Sequence, residues 1–112
     1  MSYELLLLRR QDNVGIIQLN RPEVLNALSQ QLYSEIDAAV TELEDDDSVH
    51  AIIFTGSGER AFSAGADIHE MARNAESDDS SPPDPRRADF AWHIAACTKP
   101  TIGAMNGLAY GG

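Results

Sequence analysis

The run HAIIFTG, residues 50–56, is almost wholly apolar and closes on a glycine. A run this short reads as a strand covered on both faces, the mark of a parallel sheet. Parallel neighbours need a crossover, and the preceding segment offers one. Within residues 28–43, Leu28, Leu32, Ile36, Val40 and Leu43 recur every three or four positions, which gives a helix with one apolar stripe. Ser29 is placed to cap it, because a hydroxyl there accepts an otherwise unpaired N–H of the first turn. The stop falls near Leu43 or Glu44, since Glu44 to Asp47 are all acids and suit a negative helix end poorly.

Around this unit the pattern continues. Residues 3–10 and 14–20 read as strands joined by a turn at Gln11-Asp12-Asn13. A short helix is expected over about 67–74. Residues 75–85, rich in Ser, Asp and Pro, read as a mobile surface loop. Asp84 and Pro85 then suit the N-cap and first position of a further helix, with Phe90, Ile94 and Cys97 on its buried face. A strand over 101–106 follows, and 107–112 turns away from it. The order strand, strand, helix, strand, helix, helix, strand implies an α/β fold with a largely parallel sheet. With 112 residues the chain is one domain at most. It stops on Gly111-Gly112 with no element to cover the last strand, so a truncated domain is expected.

Composition removes several function classes. A formal net charge of −10 argues against nucleic acid and against acidic membrane surfaces as partners. One cysteine, Cys97, excludes an internal disulfide and a cysteine-based metal cluster, and no metal site is expected. Leu5 to Leu8 are too few for a signal-peptide core and precede Arg9 and Arg10 instead of following them, which points to the cytoplasm. His50 and His93 have no acidic or metal-like partner at ligand spacing and are read as structural, and Trp92 as packing.

One stretch asks for more. FSAGADIHEM, residues 62–71, sets small residues directly before a helix, although glycine there costs backbone entropy. Together with LNRPEVLNAL (19–28) and KPTIGAMNGLAYGG (99–112), AFSAGADIHEM (61–71) resembles the crotonase family, also called enoyl-CoA hydratase/isomerase. The resemblance spans essentially the entire chain and corresponds to the N-terminal part of the family's catalytic domain, so 1–112 would be the first portion of a single crotonase-like domain. It implies a fold of repeated β-β-α units, truncated here, and an acyl-CoA thioester substrate passing through an enolate-like state. By that resemblance the backbone N–H groups of Ala66 and Gly112 would form an oxyanion hole. Ala64, Ala66, Asp67, Ile68 and His69 would line the CoA site, with Ala64 facing the adenine.

The resemblance also implies no cofactor beyond the CoA thioester that is the substrate, a role in fatty acid metabolism, and trimers or pairs of trimers for the full-length protein. Two positions depart from the family. His69 replaces a frequent lysine, and Glu23 stands where some relatives have a basic residue. Arg21, Arg60 and Lys99 are the candidates to compensate. Asp67 itself reads as a helix cap, and His69 as an exposed helix residue. The glutamates that position water in family hydratases would follow Gly112, and Asp67 and Glu70, on one short helix, do not replace them. Water addition to a 2-enoyl-CoA, the commonest activity associated with this motif set, is the reaction the resemblance implies, with isomerisation, another family reaction or, because the acid/base residues are absent, non-catalytic acyl-CoA binding as alternatives. The chain as given is expected to be inactive alone.

Overall fold

The computed structural model describes residues 3–76 and 86–112. Strands β1 (Leu6–Gln11) and β2 (Val14–Leu19) form an antiparallel hairpin, pairing Leu6 with Leu19 and Gln11 with Val14. Its turn bends through Asp12 at φ 54, a left-handed conformation that aspartate tolerates. Helix α1 (Gln30–Glu44) carries the chain back, and β3 (Ala51–Gly56) joins β2 in parallel. Then come β4 (Ala61–Ser63), α2 (Ile68–Glu76), α3 (Arg86–Ala95), β5 (Thr101–Gly103) and β6 (Leu108–Ala109). The main sheet runs β1-β2-β3-β5, and β4 pairs with β6 in a small second sheet. Two strands and then helix occur twice, and a third strand pair follows, which is the β-β-α repetition expected.

Helix α1 obeys its sequence closely. Ser29 Oγ accepts the Leu32 N–H at 3.2 Å, the expected cap. Leu32, Ile36, Val40 and Leu43 are buried against Leu6, Ile17 and Ile52 of the sheet, and each such side chain contributes roughly 1.5–3 kcal/mol. The acidic C-terminus is answered by a cation from afar. Lys99 Nζ donates to the carbonyls of Leu43 at 2.7 Å and Asp46 at 2.6 Å, setting a positive charge at the negative end of the helix beside the backbone amides that bond the same oxygens. Arg10 adds a bond to Asp46 at 2.8 Å, and bonds from Ser48 and Arg10 hold the Asp46 carboxyl down to about 2.

Several expectations need correction. β3 is covered fully on one face only: Ile52, Phe54 and Gly56 are buried while Ala51, Ile53 and Thr55 are partly exposed. Strands β4 and β6 were not anticipated, and β5 is shorter than 101–106. His93 does have acidic partners, contributed by α1: Nδ1 meets Asp37 Oδ1 at 2.5 Å, and Nε2 lies 3.9 Å from Glu44 Oε2. Spacing along the chain could not show this, because the acids sit on another helix. Trp92 is 74% exposed and does not pack. α2 runs on through Glu76, into the stretch read as a loop. The rest of that loop and the Asp84-Pro85 cap lie outside the described residues, as does the side chain of Phe90. Ile94 and Cys97 do pack against the core, Cys97 just beyond the end of α3, and burial pushes its thiol pKa up. Among the described residues no helix is long and apolar enough to cross a membrane.

Candidate active site

The site is built on the loop between β2 and α1. After a single 3₁₀ turn at Pro22–Val24, Leu25 and Asn26 both adopt the left-handed region, at φ 56 and 55. Asn26 is fully buried and explains the strain. Its Oδ1 accepts the Arg21 N–H at 2.8 Å, and its Nδ2 donates to the carbonyls of Ser57 and Ala61, both at 3.1 Å. Ser63 Oγ donates to the Asn26 carbonyl at 2.8 Å. The Asn26 amide thus ties the loop to the end of β3 and the start of β4, and its backbone carbonyl ties it to the end of β4. Pro22, opening the 3₁₀ turn, and Asn26 together shape this loop.

Beyond β4 the chain runs beside the same loop. The Ala64 N–H donates to Leu25 O at 2.9 Å, Leu28 N–H to Gly65 O at 2.7 Å, and Asp67 N–H to Leu28 O at 3.0 Å. Leu28 therefore spends both of its backbone groups on the residues flanking Ala66, in a parallel bridge centred on Ala66. In such a bridge the middle residue turns its own N–H and C=O the other way. The Ala66 N–H makes no hydrogen bond to another described residue. The first turn of a helix is not the reason, since α2 begins at Ile68 and Asp67 is its cap, accepting the N–H groups of His69 at 3.0 Å and Glu70 at 3.1 Å. The strand-like pleat, more than the helix, frees the amide.

Gly65 answers the question of the small residues. Its φ is +86, and a Cβ there would lie 2.5 Å from the Tyr110 carbonyl oxygen and 3.3 Å from Gly111 Cα. Gly111, at φ +65, reciprocates, since its Cβ would lie 3.5 Å from Gly65 Cα. The two glycine bends touch backbone to backbone. They are held there by β6 on β4, with the Leu108 N–H on Arg60 O at 3.1 Å and the Tyr110 N–H on Ser63 O at 3.0 Å. Gly112 follows immediately, and its N–H also makes no hydrogen bond to a described residue.

A cavity of about 410 Å³ opens beside Ala66, and Ala64, Asp67, Ile68 and His69 line it as well. All five residues named for the CoA side thus border one space. A second cavity, of about 340 Å³, is bordered by Gly111 and Gly112 and floored by core side chains such as Leu19, Leu28 and Phe54.

Charges around the first cavity are mostly committed to structure. Arg21 Nη1 donates to Ala27 O at 2.7 Å and to Asp67 Oδ2 at 3.2 Å, and both partners of the ion pair are largely buried. Burial alone would raise the Asp67 pKa, but the Glu70 amide and the Arg21 guanidinium outweigh it and hold the carboxyl below its ordinary value. Glu70 Oε1 accepts the Gln30 N–H at 2.9 Å, capping α1. Neither acid is free for proton transfer, as the sequence suggested. His69 is exposed. Among the described residues no three His, Cys, Asp or Glu side chains could hold a metal ion. Sequence reasoning missed the Arg21–Asp67 pair and the reach of Asn26, because partners 46 and 35 positions away leave no local signal.

Known proteins resemble the chain in sequence and in fold. The family model for enoyl-CoA hydratase/isomerase matches residues 9–112. A Mycobacterium bovis protein named probable enoyl-CoA hydratase echA8 is 50% identical over all of this chain and 42% of its own length. A chicken (Gallus gallus) protein named 3-hydroxyisobutyryl-CoA hydrolase, mitochondrial, is 37% identical over 95% of this chain and 28% of its own length. Among solved structures, an enoyl-CoA hydratase/isomerase from Xanthobacter autotrophicus Py2 superposes with a TM-score of 0.84 at 37% identity, over 95% of this chain and 40% of that one. The chain thus spans well under half the length of these relatives. With the matched residues and the superposed fold in agreement, the chain belongs to the enoyl-CoA hydratase/isomerase family.

Proposed function

We propose that this chain supplies the thioester-binding half of an enzyme that adds water to a 2-enoyl-CoA. The amides of Ala66 and Gly112 would converge on the thioester carbonyl oxygen, and Ala64, Ala66, Asp67, Ile68 and His69 would border the CoA moiety. The observation that carries this reading is the backbone contact between Gly65 and Gly111, with an unpartnered amide one residue beyond each. When negative charge gathers on the thioester oxygen, two preorganised donors stabilise it. Donors of this kind are worth about 3–4 kcal/mol each in other enzymes. The chemistry asks for no cofactor beyond the thioester, which is the substrate. The whole protein would work as a trimer or a pair of trimers in the cytoplasm.

Proton transfer needs groups that these residues do not offer, since Asp67 and Glu70 are both occupied as caps. The isolated chain should therefore bind crotonyl-CoA without consuming it, as followed by the ultraviolet absorbance of the conjugated thioester. Loss of that absorbance would show an acid or base within these residues and overturn the division of labour. A second reading is favoured by the likeness to a protein named as a hydrolase. Release of free CoA by the full-length protein, in place of hydration, would select it.

A further inference from the structure

Resting on that reading, we infer that Ser63 is the positioning residue of the proposed oxyanion hole: its hydroxyl and its carbonyl hold the two glycine bends and so aim the amides of Ala66 and Gly112. Ser63 is the last residue of β4 and is 6% exposed. A hydroxyl has one proton to give and two lone pairs to receive with. The proton goes to the Asn26 carbonyl at 2.8 Å, which turns a lone pair toward the Gly65 N–H at 3.1 Å. The backbone of the same residue reaches the other bend, since Ser63 O accepts the Tyr110 N–H at 3.0 Å, one residue before Gly111. A single serine touches both bends.

What it fixes is the direction of the Ala66 amide. Gly65 O takes the Leu28 N–H at 2.7 Å, and the peptide that follows is trans, so the Ala66 N–H points away from Leu28. Gly65, at φ +86, is thus held on both sides of its Cα, by the Ser63 hydroxyl at its N–H and by Leu28 at its C=O. A glycine has no side chain to restrict its rotation, so without the hydroxyl its N–H side is free to swing. The start of β4 does not depend on that hydroxyl. Ala61 O receives two side-chain amides, Asn26 Nδ2 at 3.1 Å and Asn106 Nδ2 at 3.0 Å. Asn106 also bonds the Gly58 carbonyl and the Gly56 N–H, both at 3.0 Å. Removing the hydroxyl should therefore loosen the aim of the amide while the strand stays in place.

The test is the preference of the chain for butyryl-CoA over its thioether analogue, which lacks the carbonyl oxygen and keeps the rest of the ligand. Ser63→Ala should shrink the ratio of the two affinities about three- to tenfold, the worth of one hydrogen bond, and leave the thioether affinity within about twofold of wild type. Ser63→Thr keeps the hydroxyl and should restore the ratio. A serine that only supported the fold would weaken both ligands alike when removed. That result, an unchanged ratio in Ser63→Ala, or a ratio lost equally in Ser63→Thr would overturn the assignment. The wild-type chain gives a check that needs no variant: the Gly65 amide should resist hydrogen exchange as the Tyr110 amide does, and free exchange at Gly65 would overturn the assignment too. A wild type that binds both ligands equally would instead overturn the oxyanion hole itself.

Discussion

Gly65 is the residue on which the site turns. Replacing it with alanine places a Cβ 2.5 Å from the Tyr110 carbonyl oxygen in a backbone at φ +86. The left-handed conformation alone costs about 1–2 kcal/mol, and the overlap with main-chain atoms cannot be relieved by turning a side chain. Gly65→Ala should lower the melting temperature and abolish acyl-CoA binding together, since the bend that presents Ala66 must move. Calorimetry and a ligand titration of the same sample check both. Asp67 makes a different prediction. Its lowered pKa means that it contributes stability above the ordinary carboxylate range and loses it as pH falls through the lowered value. Asp67→Asn keeps an oxygen for the α2 cap but loses the charge opposite Arg21. The variant should be less stable by about 1–3 kcal/mol at neutral pH, and the difference should shrink on acidification below the ordinary carboxylate range. A gap unchanged between neutral and strongly acidic melts would refute it. Asp67 as a cap was readable from its place before a helix. Its second partner was not, because Arg21 is far away in sequence.

Among the elements, α1 was the most legible, since its apolar stripe, its Ser29 cap and its stop all follow from near neighbours. What the local pattern could not supply was the remedy for its acidic end. Lys99→Met should remove bonds to the carbonyls of Leu43, in the last turn of α1, and of Asp46 just beyond it, and cost about 1–2 kcal/mol in a denaturant titration, with an unchanged slope. No loss of stability would show that solvent satisfies these carbonyls equally well. β4 and β6 escaped sequence reasoning for a plain reason: at three and two residues they are too short to show alternation. They exist because Asn26 and the Arg60–Leu108 bond fix their ends. The acids beside His93 escaped for a similar reason, being on the facing helix, while its reading as a structural residue stands.

For the molecule as a whole, the sequence conveyed strand–helix alternation and the family likeness, and hence the parallel core of the sheet. It did not convey how the two glycine-bearing turns meet, which depends on the pairing of β4 with β6. The proposed oxyanion hole depends on that meeting. It is tested most directly by following the Ala66 and Gly112 amide protons while the chain is saturated with butyryl-CoA, and then with the thioether analogue in which the carbonyl is replaced by methylene. Both amide resonances should move downfield with the thioester and stay near their free positions with the thioether. If neither moves, or if both move equally with the two ligands, no carbonyl oxygen sits between them.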